Sequence, residues 1–188
     1  MPETPEELYA RGRHEGLRMP LVGEWETWPF EGELRPRELQ PPVDVERPRL
    51  GEDVTDCWRC QKGGEHAIWS DERWLVTSIP EPNGLPCVVL LFPRRHVDLG
   101  DLDDEEAADL GRMLVRVERA VSAVPSVGRV HVCRWGDGSY HLHYWFLARP
   151  ERFPQLVGSF AAIWDDILPP TPQDVWDANL ALVAGALD

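Results

Sequence analysis

Residues 139–147, Ser-Tyr-His-Leu-His-Tyr-Trp-Phe-Leu, alternate in a way that leaves a chain few options. In a strand, successive side chains point to opposite faces, so His141, His143 and Trp145 fall on one side and Tyr140, Leu142, Tyr144 and Phe146 on the other. A strand needs only apolar residues to bury a face, whereas two imidazoles on the opposite face need partners of their own. One face of this stretch is therefore expected to be core and the other chemical. The plain alternative is a pair of satisfied or solvent-facing histidines.

A chain of 188 residues is long enough for one domain with a real core and an appended segment. No apolar run approaches a membrane span, and the acidic start Met1-Pro2-Glu3-Thr4-Pro5-Glu6-Glu7 lacks the basic and apolar regions of a secretory signal. A soluble, cytoplasmic protein that does not engage a membrane is expected. The net charge of −14, from 33 acidic and 19 basic residues, repels a nucleic-acid backbone, so extended DNA or RNA is not an expected partner. A small phosphorylated ligand stays compatible, because a few arginines and backbone N–H groups can hold one phosphate locally.

Along the chain, residues 4–16 read as a short helix around Leu8, Tyr9 and Leu17, with Pro20 and Pro29 preventing a longer one. Residues 21–56 hold many prolines, with Trp25, Trp28 and Phe30 scattered without period; residues 1–56 are expected to be a helix and an arm docked on the domain. The core is expected over 57–149. Residues 67–70 and 74–79 form a hairpin pattern, and Cys87 to Phe92 is an apolar run that predicts a central strand buried on both faces. Asp103 and Glu106 make a capping box, followed by Ala107, Leu110, Leu114, Val117 and Val121 at helical steps. Residues 129–135 and 140–147 pair as a second hairpin across Gly136-Asp137-Gly138. Residues 150–188 form a helical extension, with helices over 153–168 and 172–187. The class is α+β: a mostly antiparallel sheet with one long helix and C-terminal helices.

Four cysteines in such a chain read as metal ligands or buried thiols rather than disulfides. Cys87 and Cys133 sit in strand patterns and read as core; only Cys57-Trp58-Arg59-Cys60 has ligand spacing. Two thiolates at that spacing suit tetrahedral zinc, whose other ligands would come from among His14, His66, His96, His131, His141 and His143. A redox pair would need a preceding strand and a helix beginning at the first cysteine, and a loop is expected there instead. Two unliganded thiols is the remaining reading.

In order, Cys57-x-x-Cys60, a strand pair, a hydrophobic strand ending Phe92-Pro93-Arg94-Arg95-His96-Val97, a helix, and His141-x-His143 resemble the histidine triad superfamily over residues 57–149. The likeness is to its zinc-bearing branch, related to galactose-1-phosphate uridylyltransferases. The resemblance implies a HIT-like α+β fold with a structural zinc on Cys57, Cys60, His96 and His141. It makes His143 the nucleophile that forms a covalent nucleotidyl-histidine on a nucleotide-type phosphate ester or anhydride, then passes the group to water or an acceptor phosphate. Ser139 and Gly138 would approach the phosphate, and Trp145, with Trp135, is placed to stack on a base or to be core. Family members pair two subunits edge to edge, so a homodimer is implied. This chain departs from the pattern at Trp145, where the family has a third histidine or a glutamine, and at Gly84, which Leu85 and Pro86 follow in place of a Gly-His element. An indole cannot exchange a proton with a leaving group, which favours transfer over hydrolysis and leaves a non-catalytic zinc-stabilised protein as the alternative. Arg134 has two readings: a residue beside the phosphate site that balances ligand charge, and, as its alternation with Val130 and Val132 favours, an edge residue reaching solvent.

Overall fold

The computed structural model describes residues 3–17, 27–33 and 35–188; Pro20 and Trp25 lie outside them. The chain divides into two compact units, Met1–Pro48 and Arg49–Asp188. In the first, helix α1 spans Pro5–Glu15 and is closed at its start by a capping box between Thr4 and Glu7, with proline in the first turn where its missing N–H costs nothing. Trp28 and Phe30 meet edge to face 5.6 Å apart. Arg49 to Asp56 belong to the second unit.

The second unit is built on a five-stranded, wholly antiparallel sheet. Its strands are β1 (Ala67–Ser70), β2 (Trp74–Ser78), β3 (Val88–Pro93), β4 (Val127–Cys133) and β5 (Tyr144–Pro150), in the order β1-β2-β3-β5-β4. The helices are α2 (Trp58–Lys62), α3 (Asp104–Ser122), α4 (Phe160–Ile167) and α5 (Gln173–Leu187). The α+β class expected from the pattern is the class found. All six residues of β3 are buried, as a central strand covered on both faces requires. Helix α3 starts at the expected Asp103/Glu106 capping box and buries Leu110, Met113, Val117, Ala120 and Val121, one stripe at three- and four-residue steps. Burying each of the leucine, methionine and valine side chains contributes roughly 1.5 to 3 kcal/mol. Val76, Val89, Leu91, Phe146 and Ala148 join that core, with Trp176, Val183 and Leu187 from α5. The other sheet face carries a smaller cluster, Leu75, Leu90 and Phe92 with Ile79 and Trp145. Among the described residues, no helix is long and apolar enough to cross a membrane.

Three local readings change. Strand β5 begins only at Tyr144, because the backbone before it is engaged outside the sheet: Tyr140 N–H donates to Leu50 O (3.0 Å) and Leu142 N–H to Val97 O (2.8 Å). Alternation fails there, and His141 and Leu142 are both buried. Helix α4 begins at Phe160 rather than 153, since Pro154 and Gly158, the latter at φ 60°, break the preceding stretch into turns. A helix does begin at the cysteine pair, with Cys57 as the residue before the single turn of α2, but a 3₁₀ turn, Val54–Asp56, precedes it instead of a strand.

The Asn83-Gly84 turn is stitched to the C-terminal extension. Asp165 of α4 accepts from Leu85 N–H (3.1 Å) and the Asn83 amide, and Thr171 Oγ1 donates to Leu85 O (2.8 Å). A Cβ on Gly84 would lie 2.5 Å from Leu168 Cβ, so no other residue fits this approach. Burial, and then the neighbouring Asp166, push the Asp165 carboxyl up to about 6 against the pull of the Leu85 N–H. A carboxyl whose folded pKa is raised contributes its stability at low pH and loses it as pH rises through the folded value. Urea unfolding of the wild type and Asp165→Asn across pH 4 to 8 is therefore expected to show the variant gaining on the wild type from about pH 4 to about pH 7, with a constant difference above. A difference independent of pH counts against this account.

Candidate functional site

Cys57 reaches its position because Gly51, at φ 75°, turns the incoming chain against it; a Cβ there would lie 2.9 Å from Cys57 Cα. The turn of α2 then brings Cys60 to the same side, and His96 follows the end of β3 at Pro93. His141 enters from the segment before β5. The Cys57 sulfur lies 3.3 Å from His141 Nδ1, and the Cys60 sulfur lies 3.4 Å from His96 Nδ1 and 3.6 Å from His141 Nδ1. All four donor atoms lie within 4.8 Å of one another. Tetrahedral zinc, with bonds of about 2.3 Å to sulfur and about 2.0 Å to nitrogen, needs neighbouring donors roughly 3.3 to 3.8 Å apart. Donor set and spacing fit that ion. His141 Nε2 faces Pro93 O at 2.9 Å; a carbonyl only accepts, so Nε2 carries the hydrogen and the Nδ1 lone pair faces the sulfurs.

The surroundings of Cys60 work against a bare thiolate there. Partial desolvation and the adjoining Cys57 sulfur push the Cys60 thiol up to about 11, with Arg59 opposing. Arg59, 6% exposed, donates to Gly63 O (2.6 Å) and Glu65 O (3.3 Å) and lies over the Phe92 ring. Among the described residues no other group of three or more metal-ligating side chains comes together. His14 is in α1, His66 faces Glu65 at 3.7 Å, and His131 lies on β4 outside the cluster.

His143 is half-buried and points its Nδ1 at His141 O, 2.9 Å away. The carbonyl again fixes the tautomer: Nδ1 carries the hydrogen and Nε2 keeps the lone pair, with no hydrogen-bond partner among the described residues. The ring is flanked by Phe92 at 5.8 Å and Trp145 at 6.2 Å, and Trp135 meets Trp145 at 5.9 Å. Trp145 stands on the smaller-cluster face, across from Leu90 and Cys133, and Trp135 is 47% exposed.

Ser139 and Gly138 lie in the loop before this segment. Gly138 O accepts from Leu50 N–H (3.0 Å) and Ser139 bridges Leu50; neither is hydrogen-bonded to His143. The same loop is held by charged side chains from three separate parts of the chain. Asp98 takes Arg49 at 2.7 Å and pairs with Arg134, and Arg49 also donates to Gly136 O (3.0 Å) and covers the Tyr140 ring. Partial burial works against the Asp98 carboxylate, but Arg49, the Leu99 N–H and Arg134 together hold it below the usual range. Arg134 is thus tied into the loop instead of reaching solvent. These partners lie far apart in sequence, and nothing in their spacing announces them.

No family model matches the sequence, and no curated protein matches it. Among solved structures, the chain is similar to a histidine triad (HIT) protein from Sinorhizobium meliloti 1021, with a TM-score of 0.52 and 17% identity, covering 64% of this chain and 88% of that one. It is also similar to a histidine triad protein from Marinobacter aquaeolei VT8, with a TM-score of 0.51 and 17% identity over 65% of this chain and 88% of that one. A histidine triad protein from Bradyrhizobium japonicum gives a TM-score of 0.50 and 20% identity over 64% and 89% of the two chains. At such identities the likeness is one of fold, and the five-stranded antiparallel sheet with its helices is the fold these histidine triad proteins share.

Proposed function

We propose that the chain is a nucleotidyl transferase or hydrolase in which His143 attacks the phosphorus of a nucleotide-type phosphate ester or anhydride. The observation that carries this reading is the 2.9 Å contact from His143 Nδ1 to the His141 carbonyl, which places the hydrogen of the neutral ring on Nδ1 and leaves the Nε2 lone pair free of hydrogen-bond partners among the described residues. A neutral imidazole is nucleophilic near pH 7. A P–N bond to Nε2 forms as the bond to the leaving group breaks and the electron pair departs with that group. The oxygen of water or of an acceptor phosphate then displaces Nε2 and returns the neutral ring.

Zinc on Cys57, Cys60, His96 and His141 is structural in this reading: when bound, it supplies folding energy and charge to two thiolates. The chain's own residues do the rest. Ser139 and the backbone at Gly138 approach a phosphate, beside a cluster in which Arg49 and Arg134 pair with Asp98 and Arg49 pairs with Glu52 as well. Trp145 and Trp135 offer aromatic faces to a base. Pairing of two chains edge to edge belongs to the same reading, and β1 and β4 are the sheet edges. A second reading, a non-catalytic zinc-stabilised protein that binds a nucleotide or a protein partner, is favoured by one observation, the indole of Trp145 beside His143.

Purified protein is expected to carry zinc at about one equivalent per chain. Cys57→Ala and His96→Ala are each expected to lose it, and chelation to lower the thermal midpoint by about 10 °C or more. Metal analysis that finds the variants fully loaded overturns the ligand set. For the chemistry, brief incubation with nucleoside phosphates bearing different bases, followed by intact mass measurement, is expected to give a nucleotidyl adduct. His143→Ala should abolish the adduct and lower turnover at least about a thousandfold while keeping its zinc. A zinc-loaded wild type that forms no adduct and turns over no donor supports the binding protein instead.

A further inference from the structure

A groove of about 350 Å³ lies at the end of the sheet away from His143, between the turn at 84–86 and the C-terminal extension. Pro86 leads into β3 and Pro150 closes β5, whereas His143 stands just before β5 begins at Tyr144. The 7 residues of that strand put roughly 20 Å between the two places. Polar bonds pin the walls. Thr171 N–H donates to Asn83 O (2.7 Å) and its hydroxyl to Leu85 O (2.8 Å), Asn179 Nδ2 donates to Pro86 O (2.8 Å), and Glu151 N–H donates to Ser126 O (2.7 Å). Each bond satisfies a backbone carbonyl in or beside the wall, so the groove is preformed.

Between those bonds the surface is apolar. Leu156 is buried in it, whereas Phe153 and Val175 line it while 52% and 44% exposed. Large apolar side chains left that open around a concavity mark a place where something binds. None of the 11 lining residues is charged, in a chain of which 28% is charged and whose net charge is −14. An anion would enter against the field of the whole protein with no basic partner in the wall, and a cation would lose its water with no carboxylate there to replace it. The polar atoms still open are few: Asn179 Oδ1 and the Ser126 hydroxyl have no hydrogen-bond partner among the described residues. One turn of helix, about 10 Å across and about 5 Å long, already exceeds the volume, which favours a small molecule over a docking helix.

From this arrangement we infer that the groove is a binding site for an uncharged, largely apolar small molecule of roughly 12 to 18 non-hydrogen atoms, packed against Phe153, Leu168 and Val175 and oriented by a hydrogen bond to Asn179. It is separate from the site at His143 and does not depend on the chemistry proposed there.

Titration of the full-length protein with N-phenyl-1-naphthylamine, an uncharged probe of that size, is expected to give a saturable rise in probe fluorescence at one site per chain, with a Kd on the order of 10 μM. Its sulfonated counterpart, 8-anilinonaphthalene-1-sulfonate, adds one anionic group and is expected to bind at least about tenfold more weakly. Val175→Trp fills the groove from an exposed position and should abolish binding of the neutral probe, with zinc content and thermal midpoint kept. Phe153→Ser, also at an exposed position, should weaken it by roughly tenfold. The probe is expected to raise the thermal midpoint of the wild type and not that of Val175→Trp. His143→Ala is expected to bind the probe as the wild type does, which separates the two sites. No saturable binding, equal affinity for the two probes, or neutral-probe binding that both groove variants leave unchanged overturns the inference. Sedimentation of the wild type as a dimer that Val175→Trp breaks overturns it too, and assigns the groove to a second copy of the chain.

Discussion

The imidazole of His141 is the fixed point of the site. It is 2% exposed, and a buried polar ring persists only when each of its hydrogen-bonding groups is used. One nitrogen is spent on the Pro93 carbonyl, the other faces Cys57 and Cys60, and the backbone oxygen of the same residue receives His143 Nδ1. Burial pushes the ring's pKa down, which keeps it in the neutral form that this arrangement requires. Neither tautomer is free: the Pro93 carbonyl sets the one on His141, and the His141 carbonyl sets the one on His143.

The sheet makes that point rigid from one side and a loop brace makes it rigid from the other. β3, buried along its whole length, delivers Phe92 and Pro93 to the ring, and α3 lays its apolar stripe on the neighbouring β5 and β4. On the far side, residues 49 and 50 bond to the loop at 136–140 through Arg49, Leu50 and the Asp98 pair. A partly buried carboxylate between two guanidinium groups is strongly oriented, because each partner limits where the others can lie.

Local pattern explains what was legible in the sequence. The capping box at Asp103/Glu106 and the spacing from Leu110 to Val121 fix α3 almost to the residue, because both are properties of a single helix. The apolar run after Cys87 reads as a doubly covered strand, and Cys57, Cys60, His96 and His141, drawn together here, were recognisable as an ordered set of motifs. What could not be read depends on distant partners. Residues 139–143 have the alternation of a strand, yet their hydrogen bonds go to Leu50 and Val97, so the alternation there marks no sheet. Arg134, similarly, has a strand-edge position whose real partner, Asp98, is placed by a different element. The short helix at Cys57 escaped notice because Gly63 and Gly64 follow so closely that the stretch reads as loop.

The His141 peptide also joins two regions that a map of side chains would draw separately. The plane whose carbonyl faces His143 continues into the N–H of Leu142, which is anchored on Val97, one residue beyond His96. A rotation of this one plane would therefore disturb the aim of His143 and the course of the chain around His96 together, even with every strand in register. The His143 ring and the sulfur cluster are geared through a single amide, and the rigidity of that amide couples the cluster to a ring at the sheet face.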